Sequence, residues 1–244
     1  ELVAWTLDQG LPGLENLALI PGTVGAAPVQ NVGAYGVEVC ERFDSLDAVS
    51  LPDGALRRFD AGDCSFGYRD SVFRHGADAQ WLITAVRFRL SRTPRPCLDY
   101  GELRDELRAR GVASPGAREV ADAVCAIRRR KLPDPAEIGN AGSFFRNPVV
   151  ERAGAEQLAR AHSGMPIYPG ISPATAKLSA AWMIDRCGWK GWRDGDAGVH
   201  ERHALVLVNH GNASGAQIVA LAARIRESVR QRFGVELEPE PVVV

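Results

Sequence analysis

The chain has 244 residues, enough for one large domain or two small ones with real cores. Hydrophobic content of 45% and charged content of 24% are ordinary for a globular protein, and no apolar run is long enough to cross a membrane. A net charge of −1 excludes a general attraction to nucleic acid, and no signal peptide is visible. Five cysteines (Cys40, Cys64, Cys97, Cys125, Cys187) lack any C-x-x-C pair and are read as reduced, mostly buried thiols of a cytoplasmic protein. The five histidines offer no zinc spacing, so no metal is expected.

Residues Glu1 to Gln9 read as the tail of a helix stopped by Gly10 and Pro12. The start without methionine, inside a helix, reads as a fragment. Leu19 to Gly36 then holds four glycines among small residues, bounded early by Pro21 and interrupted by Pro28. One such glycine would be an ordinary turn; four with alanines between them exceed the need of one turn. Missing side chains expose amide donors and let the backbone approach a flat or phosphorylated ligand, so this is read as a cofactor-facing loop. Neither a P-loop nor the G-x-G-x-x-G turn is present, which leaves the ligand open at this point.

Phe43 to Asp60 reads as a hairpin turning at Pro52-Asp53-Gly54. Leu82, Thr84, Val86, Phe88 and Leu90 alternate with Arg87 and Arg89 as in a half-buried strand. Gly101 to Gly111 is a short helix, and a stronger one starts with Ser114 as cap and Pro115 at the first position. Val120, Val124 and Ile127 share its inner face, and the basic run Arg128-Arg129-Arg130-Lys131 is its solvated end. Two prolines at Pro133-Asp134-Pro135 mark a domain boundary. Beyond it, Phe144 to Val150 is a strand candidate, Arg152 to Ala161 and Leu178 to Cys187 are helices, and Ala204 to Val208 is a buried strand. Ser214 and Gln217 form a capping box for a helix with Ile218, Leu221, Ile225 and Val229 on one face, closed by Gly234 before a final strand. The architecture read from this order is α+β with two sub-domains.

Three motifs carry candidate chemistry. In Phe66-Gly67-Tyr68-Arg69-Asp70-Ser71, Arg69 taken alone is a surface residue paired with Asp70, yet its planar fork suits a carboxylate. In Gly139-Asn140-Ala141-Gly142-Ser143-Phe144-Phe145-Arg146-Asn147-Pro148, Ser143 is either a turn residue or a tightly placed hydroxyl; no G-x-S-x-G elbow supports a nucleophile. Glu240, in Leu237-Glu238-Pro239-Glu240, taken alone is solvated.

Together and in this order, these motifs, the segment from Gly13 to Gly36, and the tracts around Tyr100 and Lys131 resemble the UDP-N-acetylenolpyruvoylglucosamine reductases. The tract around Tyr100 is similar to a loop of the family's longer form. The resemblance implies an FAD-binding domain of PCMH type, vanillyl-alcohol-oxidase-like, over residues 1–132 with its amino-terminal part missing. A smaller α/β substrate-binding domain over 133–234 follows, and a carboxy-terminal strand, 235–244, returns to the FAD-binding region. It implies FAD contacted by Pro21, Gly22, Thr23, Gly25, Ala26, Val29, Gly33, Ala34, Tyr35 and Gly36, with a further glycine-rich turn lying upstream in the family. NADPH reduces the flavin, which passes hydride to the vinyl carbon of UDP-N-acetylglucosamine enolpyruvate, giving UDP-N-acetylmuramate for peptidoglycan synthesis. Arg69 holds the enolpyruvyl carboxylate, Ser143 protonates the carbon beside it, and Glu240 assists. Tyr100 and Lys131 meet the diphosphate, Asn147 the nucleotide, and His203 stands where some relatives carry glutamine. A cytoplasmic monomer without nucleic-acid or membrane partners is expected. Two other readings fit parts of the pattern: another FAD oxidase of the same superfamily, and a cofactor-free truncated binding module.

Overall fold

Helix α1 (Leu2–Asp8) ends as its sequence predicts, with Gly10 at φ +67 closing the last turn. In the computed structural model, which describes residues 1–75 and 80–243, the chain divides into two compact units, Glu1–Arg130 and Lys131 onward.

In the first unit the glycine-rich segment leads to a short hairpin, β1 (Gly33–Ala34) and β2 (Val37–Glu38). Strands β3 (Phe43–Ser50) and β4 (Leu56–Asp60) form the larger hairpin. Asp53 Oδ1 accepts the Ala55 amide and Gly54 takes φ +73, so the turn residues act as anticipated. The one-turn α2 (Ala61–Cys64) carries a capping box from Asp60 and Asp63. Strand β5 (Trp81–Phe88) completes an antiparallel sheet of order β4-β3-β5.

The expected alternation along β5 is broken. Ala48 pairs with Ile83 and Asp47 with Ala85, so Thr84 is an extra, bulged residue. The bulge reverses the phase: Trp81, Ile83 and Val86 pack on Phe43, Leu46, Ala48 and Phe59, while Leu82 is 57% exposed.

Helices α3 (Gly101–Ala109) and α4 (Ala117–Lys131) bury Leu103 and Leu107 against Val120, Val124 and Ile127. Ser114 does not cap α4. Pro115 and Gly116 remain outside the helix, and the Glu119 carboxylate folds back to accept the Gly116 amide at 3.0 Å.

The second unit runs β6 (Gly139–Ser143), β7 (Val149–Glu151), α5 (Arg152–Ala161), β8 (Ile167–Pro169), β9 (Thr175–Leu178), α6 (Ala180–Arg186), β10 (Arg193–Asp194), β11 (Ala197–Val199), β12 (Val206–Asn209) and α7 (Gly215–Phe233). Its two antiparallel sheets have the orders β10-β11-β12-β6 and β7-β9-β8. Leu221, Ile225 and Val229 of α7 join Phe145, Leu178, Met183, Ile184 and Leu237 in one core. The Ser214–Gln217 capping box and the left-handed Gly234 bound α7 as predicted.

Several expected boundaries shift. Phe144 and Phe145 are buried, but the ladder lies before and after them, so of the expected strand over 144–150 only Val149 and Val150 are in β7, and 144–148 is a bridging segment. Leu178 ends β9, and Ser179 caps α6 by accepting the Trp182 amide. The buried strand near Ala204 is β12, with Ala204 and Leu205 buried ahead of it. In place of a final strand, the described residues after Gly234 make one β-bridge, Phe145 to Pro239. Pro239 and Pro241 have no amide to donate, which stops a ladder there. All five cysteines are free thiols, but only Cys64 is buried. Its burial, with the nearby Asp63 and Asp60, pushes the thiol pKa up to about 12. No helix among the described residues is long and apolar enough to cross a membrane.

Candidate active site

The first unit places the glycine-rich segment beside a cleft of about 750 Å³. Pro21, Gly22, Thr23 and Ala26 line it, with Leu14, Leu17, Ile20 and Val39 as apolar wall and Cys125 of α4 also in the lining. Gly22 sits at φ +103, and a Cβ there would have nothing within 4 Å, so the backbone at this point is bare. Thr23 Oγ1 accepts the Ala26 amide and shapes the turn.

The other expected contacts are not in the cleft lining. A Cβ on Gly25 would stand 3.2 Å from the Ile83 carbonyl, so this glycine lets the loop approach β5. The Val29 carbonyl accepts Ser71 Oγ at 2.6 Å. Gly33, Ala34, Tyr35 and Gly36 form the β1–β2 hairpin and its turn, with Tyr35 at φ +50 and Gly36 at φ +87.

That hairpin meets Arg69. The Arg69 Nη2 donates to the Gly33 carbonyl at 2.7 Å, and Nη1 lies 3.9 Å from Glu38 Oε1. Arg69 itself adopts φ +56, uncommon for a residue with a side chain. Its carbonyl accepts Arg74 Nη1 at 2.8 Å. Tyr100 lies at the N-cap of α3, 41% exposed, with its ring edge-on to Tyr35 at 5.1 Å.

Arg128, in the basic run at the end of α4, is a functional candidate and not part of a solvated helix end. It is half-buried, donates from Nε to the Leu19 carbonyl at 3.2 Å, and hydrogen-bonds the Tyr35 hydroxyl. Burial pushes the Arg128 pKa down, and the Tyr35 contact opposes that. Burial likewise raises the Tyr35 pKa, with the Arg128 charge opposing. The signal was present: Arg128 lies seven residues after Ala121 and four after Val124, on the stripe that α4 buries. Arg130 does face out, paired with Glu106 and Glu102.

In the second unit a β-bulge presents Ser143. Asn140 pairs with Val208 and Ser143 with Val206, so Ala141 and Gly142 oppose Leu207 alone. Gly142 takes φ +71, and Asn140 holds the bulge by accepting the Gly142 amide at 3.0 Å. The chain then runs through Phe144, whose carbonyl accepts the Glu240 amide at 2.9 Å. Arg146 closes the same bridge through the Glu238 carbonyl and carboxylate. Ser143 and Glu240 are thus brought together by backbone pairing across residues 144–146 and 238–240.

Lys131 is the last residue of α4, and the turn at Asp134 carries the chain from it back to β6. Asn147 uses its Oδ1 to accept the Ala180 amide at the start of α6, leaving its amide hydrogens as the donors it can offer. His203 Nδ1 accepts the Leu205 amide at 3.3 Å, which places the proton of the neutral ring on Nε2. Among the described residues no group of three or more His, Cys, Asp or Glu side chains could hold a metal ion.

Residues 134–244 match the family described as UDP-N-acetylenolpyruvoylglucosamine reductase, C-terminal domain, and residues 1–60 match an FAD binding domain. The UDP-N-acetylenolpyruvoylglucosamine reductase of Pseudomonas aeruginosa is 60% identical over 98% of this chain and 70% of its own length. That of Azoarcus sp. is 58% identical over the whole of this chain and 70% of its own. The chain belongs to the UDP-N-acetylenolpyruvoylglucosamine reductase family. A crystal structure of the reductase from Thermus caldophilus superposes with a TM-score of 0.66 at 26% identity, covering 99% of this chain and 68% of that one. The fold is accordingly an FAD-binding domain followed by the reductase's carboxy-terminal domain.

The residues present fit the family's flavin. A mostly apolar cleft within the usual size range for cofactor sites runs along Pro21 to Thr23, where Gly22 leaves bare backbone and a Cβ would occupy open space.

Proposed function

We propose that this chain reduces UDP-N-acetylglucosamine enolpyruvate to UDP-N-acetylmuramate, a step of peptidoglycan precursor synthesis, with FAD as cofactor and NADPH as reductant. The observation that carries this is identity of 58 to 60% with reductases of that name along nearly the whole chain. Pro21, Gly22, Thr23 and Ala26 would hold the flavin from the cleft, with Gly25, Val29 and Gly33 to Gly36 shaping the same segment. When bound, the flavin supplies the hydride that the vinyl group needs, drawn from NADPH.

The chain's own residues handle charge and the proton. Arg69 holds the enolpyruvyl carboxylate through its planar, bidentate fork. As the vinyl group is reduced, negative charge builds on the carbon beside that carboxylate, and the fixed guanidinium stabilises it. The Ser143 hydroxyl donates its proton to this carbon, completing addition of two hydrogens across the double bond. A serine is a weak acid, so it works here only because the developing carbanion is a strong base. Glu240, held through the Phe144 carbonyl, assists that delivery. Lys131 offsets the diphosphate charge, Tyr100 closes over it, and the donors of Asn147 and His203 meet the nucleotide.

Ser143→Ala tests the division of labour. In stopped flow, NADPH bleaches the flavin of the variant at the parent rate. Return of colour on adding the enolpyruvyl nucleotide slows by about 100-fold or more, the usual weight of a positioned acid. Equal slowing of both phases would remove Ser143 from the acid role.

A further inference from the structure

Asn31 is 1% exposed and lies on the glycine-rich segment, at φ +45, a backbone region that asparagine enters more readily than most residues. Its carboxamide is engaged on both sides. Nδ2 donates to Glu38 Oε2 and to the Gly67 carbonyl, each at 2.9 Å, and Oδ1 accepts the Cys40 amide at 3.0 Å. Two of these partners, Gly67 and Glu38, bear on Arg69.

Gly67 opens the turn that displays Arg69. Its amide donates to the Asp70 carbonyl at 3.0 Å, and the Asp70 amide donates back at 3.3 Å, with Arg69 at φ +56 between them. Such a conformation is unfavourable for arginine and persists only where the surroundings over-determine it. Glu38, whose Oε2 is held by Asn31, presents Oε1 to the Arg69 guanidinium at 3.9 Å. One buried carboxamide therefore grips both the backbone that aims Arg69 and the carboxylate that braces it.

We infer that Asn31 is a positioning residue for Arg69, setting the preference of the protein for a carboxylate-bearing nucleotide. The inference rests on the reading of Arg69 as the group that holds the enolpyruvyl carboxylate. Only a carboxamide suits the position: two acceptors need donors, and one amide needs an acceptor. Aspartate would set a second carboxylate against Glu38.

The test is calorimetric binding of two nucleotides to the flavin-loaded chain: UDP-N-acetylglucosamine enolpyruvate and the carboxylate-free UDP-N-acetylglucosamine. Asn31→Gly keeps the left-handed backbone and removes the carboxamide. It weakens the enolpyruvyl nucleotide by about tenfold or more and leaves the carboxylate-free one within about twofold. The same loss vanishes in an Arg69→Ala background, because the residue acts through that guanidinium. Asn31→Asp, which retains the left-handed preference and the Cys40 bond, gives the same selective loss if the glycine variant does not fold. Equal loss for both nucleotides, or a loss undiminished in Arg69→Ala, overturns the inference while Arg69 keeps its role. If Arg69→Ala itself binds both nucleotides as the parent does, the reading of Arg69 fails, and this inference with it.

Discussion

Gly33 shows how closely the first unit is fitted around its arginine. A Cβ there would stand 2.8 Å from Glu38 Cγ, 3.0 Å from Arg69 Nη1 and 3.1 Å from the Val37 carbonyl. The two side chains can retreat, but the carbonyl belongs to the β1–β2 ladder and cannot retreat far. Gly33→Ala therefore displaces Arg69 and lowers kcat/KM for the enolpyruvyl nucleotide by about 10- to 100-fold, the cost of misplacing a binding group by an ångström. Steady-state kinetics check this, and an unchanged kcat/KM would show that the Arg69–Gly33 contact does not set the geometry. The residues proposed to act directly, Arg69 and Ser143, stand out in the sequence through their motifs. Their supports do not. Asn31 reaches Gly67 across 36 residues, and Asn140 holds a bulge whose existence depends on pairing with β12. Nothing local in the sequence marks such bonds.

Elements were legible where local chemistry decides them. Helix α5 spans the predicted Arg152–Ala161, and the caps at Gly10, Ser214 and Gly234 act as read. Where tertiary pairing decides, the local sequence pattern misleads. The Thr84 bulge inverts half of β5, the ladder of β6 stops before the aromatic pair, and Glu119 displaces Ser114 in starting α4. The loop between β11 and β12 carries a pH response that follows from the same kind of local bond. His200 is 8% exposed and accepts the Arg202 amide on Nδ1 at 3.3 Å. Burial first, then the Arg202 charge, pushes its pKa below the ordinary histidine value. The folded state thus favours the neutral ring, and the unfolded state binds more protons once pH falls below about 6.5. Stability from this group is fully present above that value and is lost as pH falls toward the folded pKa. Thermal melts between neutral pH and mildly acidic pH will show a fall that His200→Gln reduces. A fall of the same size in His200→Gln would assign the acid response to other groups.

At the scale of the whole molecule, each unit has its own core and its own share of the proposed site residues. The first carries the glycine-rich cleft and Arg69; the second carries Ser143 and Glu240 on a single backbone bridge. A net charge of −1 supplies no general attraction for anions, so under the proposed function recognition of the anionic nucleotide falls to individually placed cations such as Arg69 and Lys131. The account as a whole comes down to where two hydrogens go. The decisive measurement is to incubate the flavin-loaded chain with NADPH and UDP-N-acetylglucosamine enolpyruvate in D2O and read the product by NMR. The account predicts NADPH consumption that depends on the enolpyruvyl nucleotide, and UDP-N-acetylmuramate carrying solvent deuterium on the carbon that bears the carboxylate. NADPH consumption indifferent to that nucleotide, or a product without deuterium at that carbon, would contradict it.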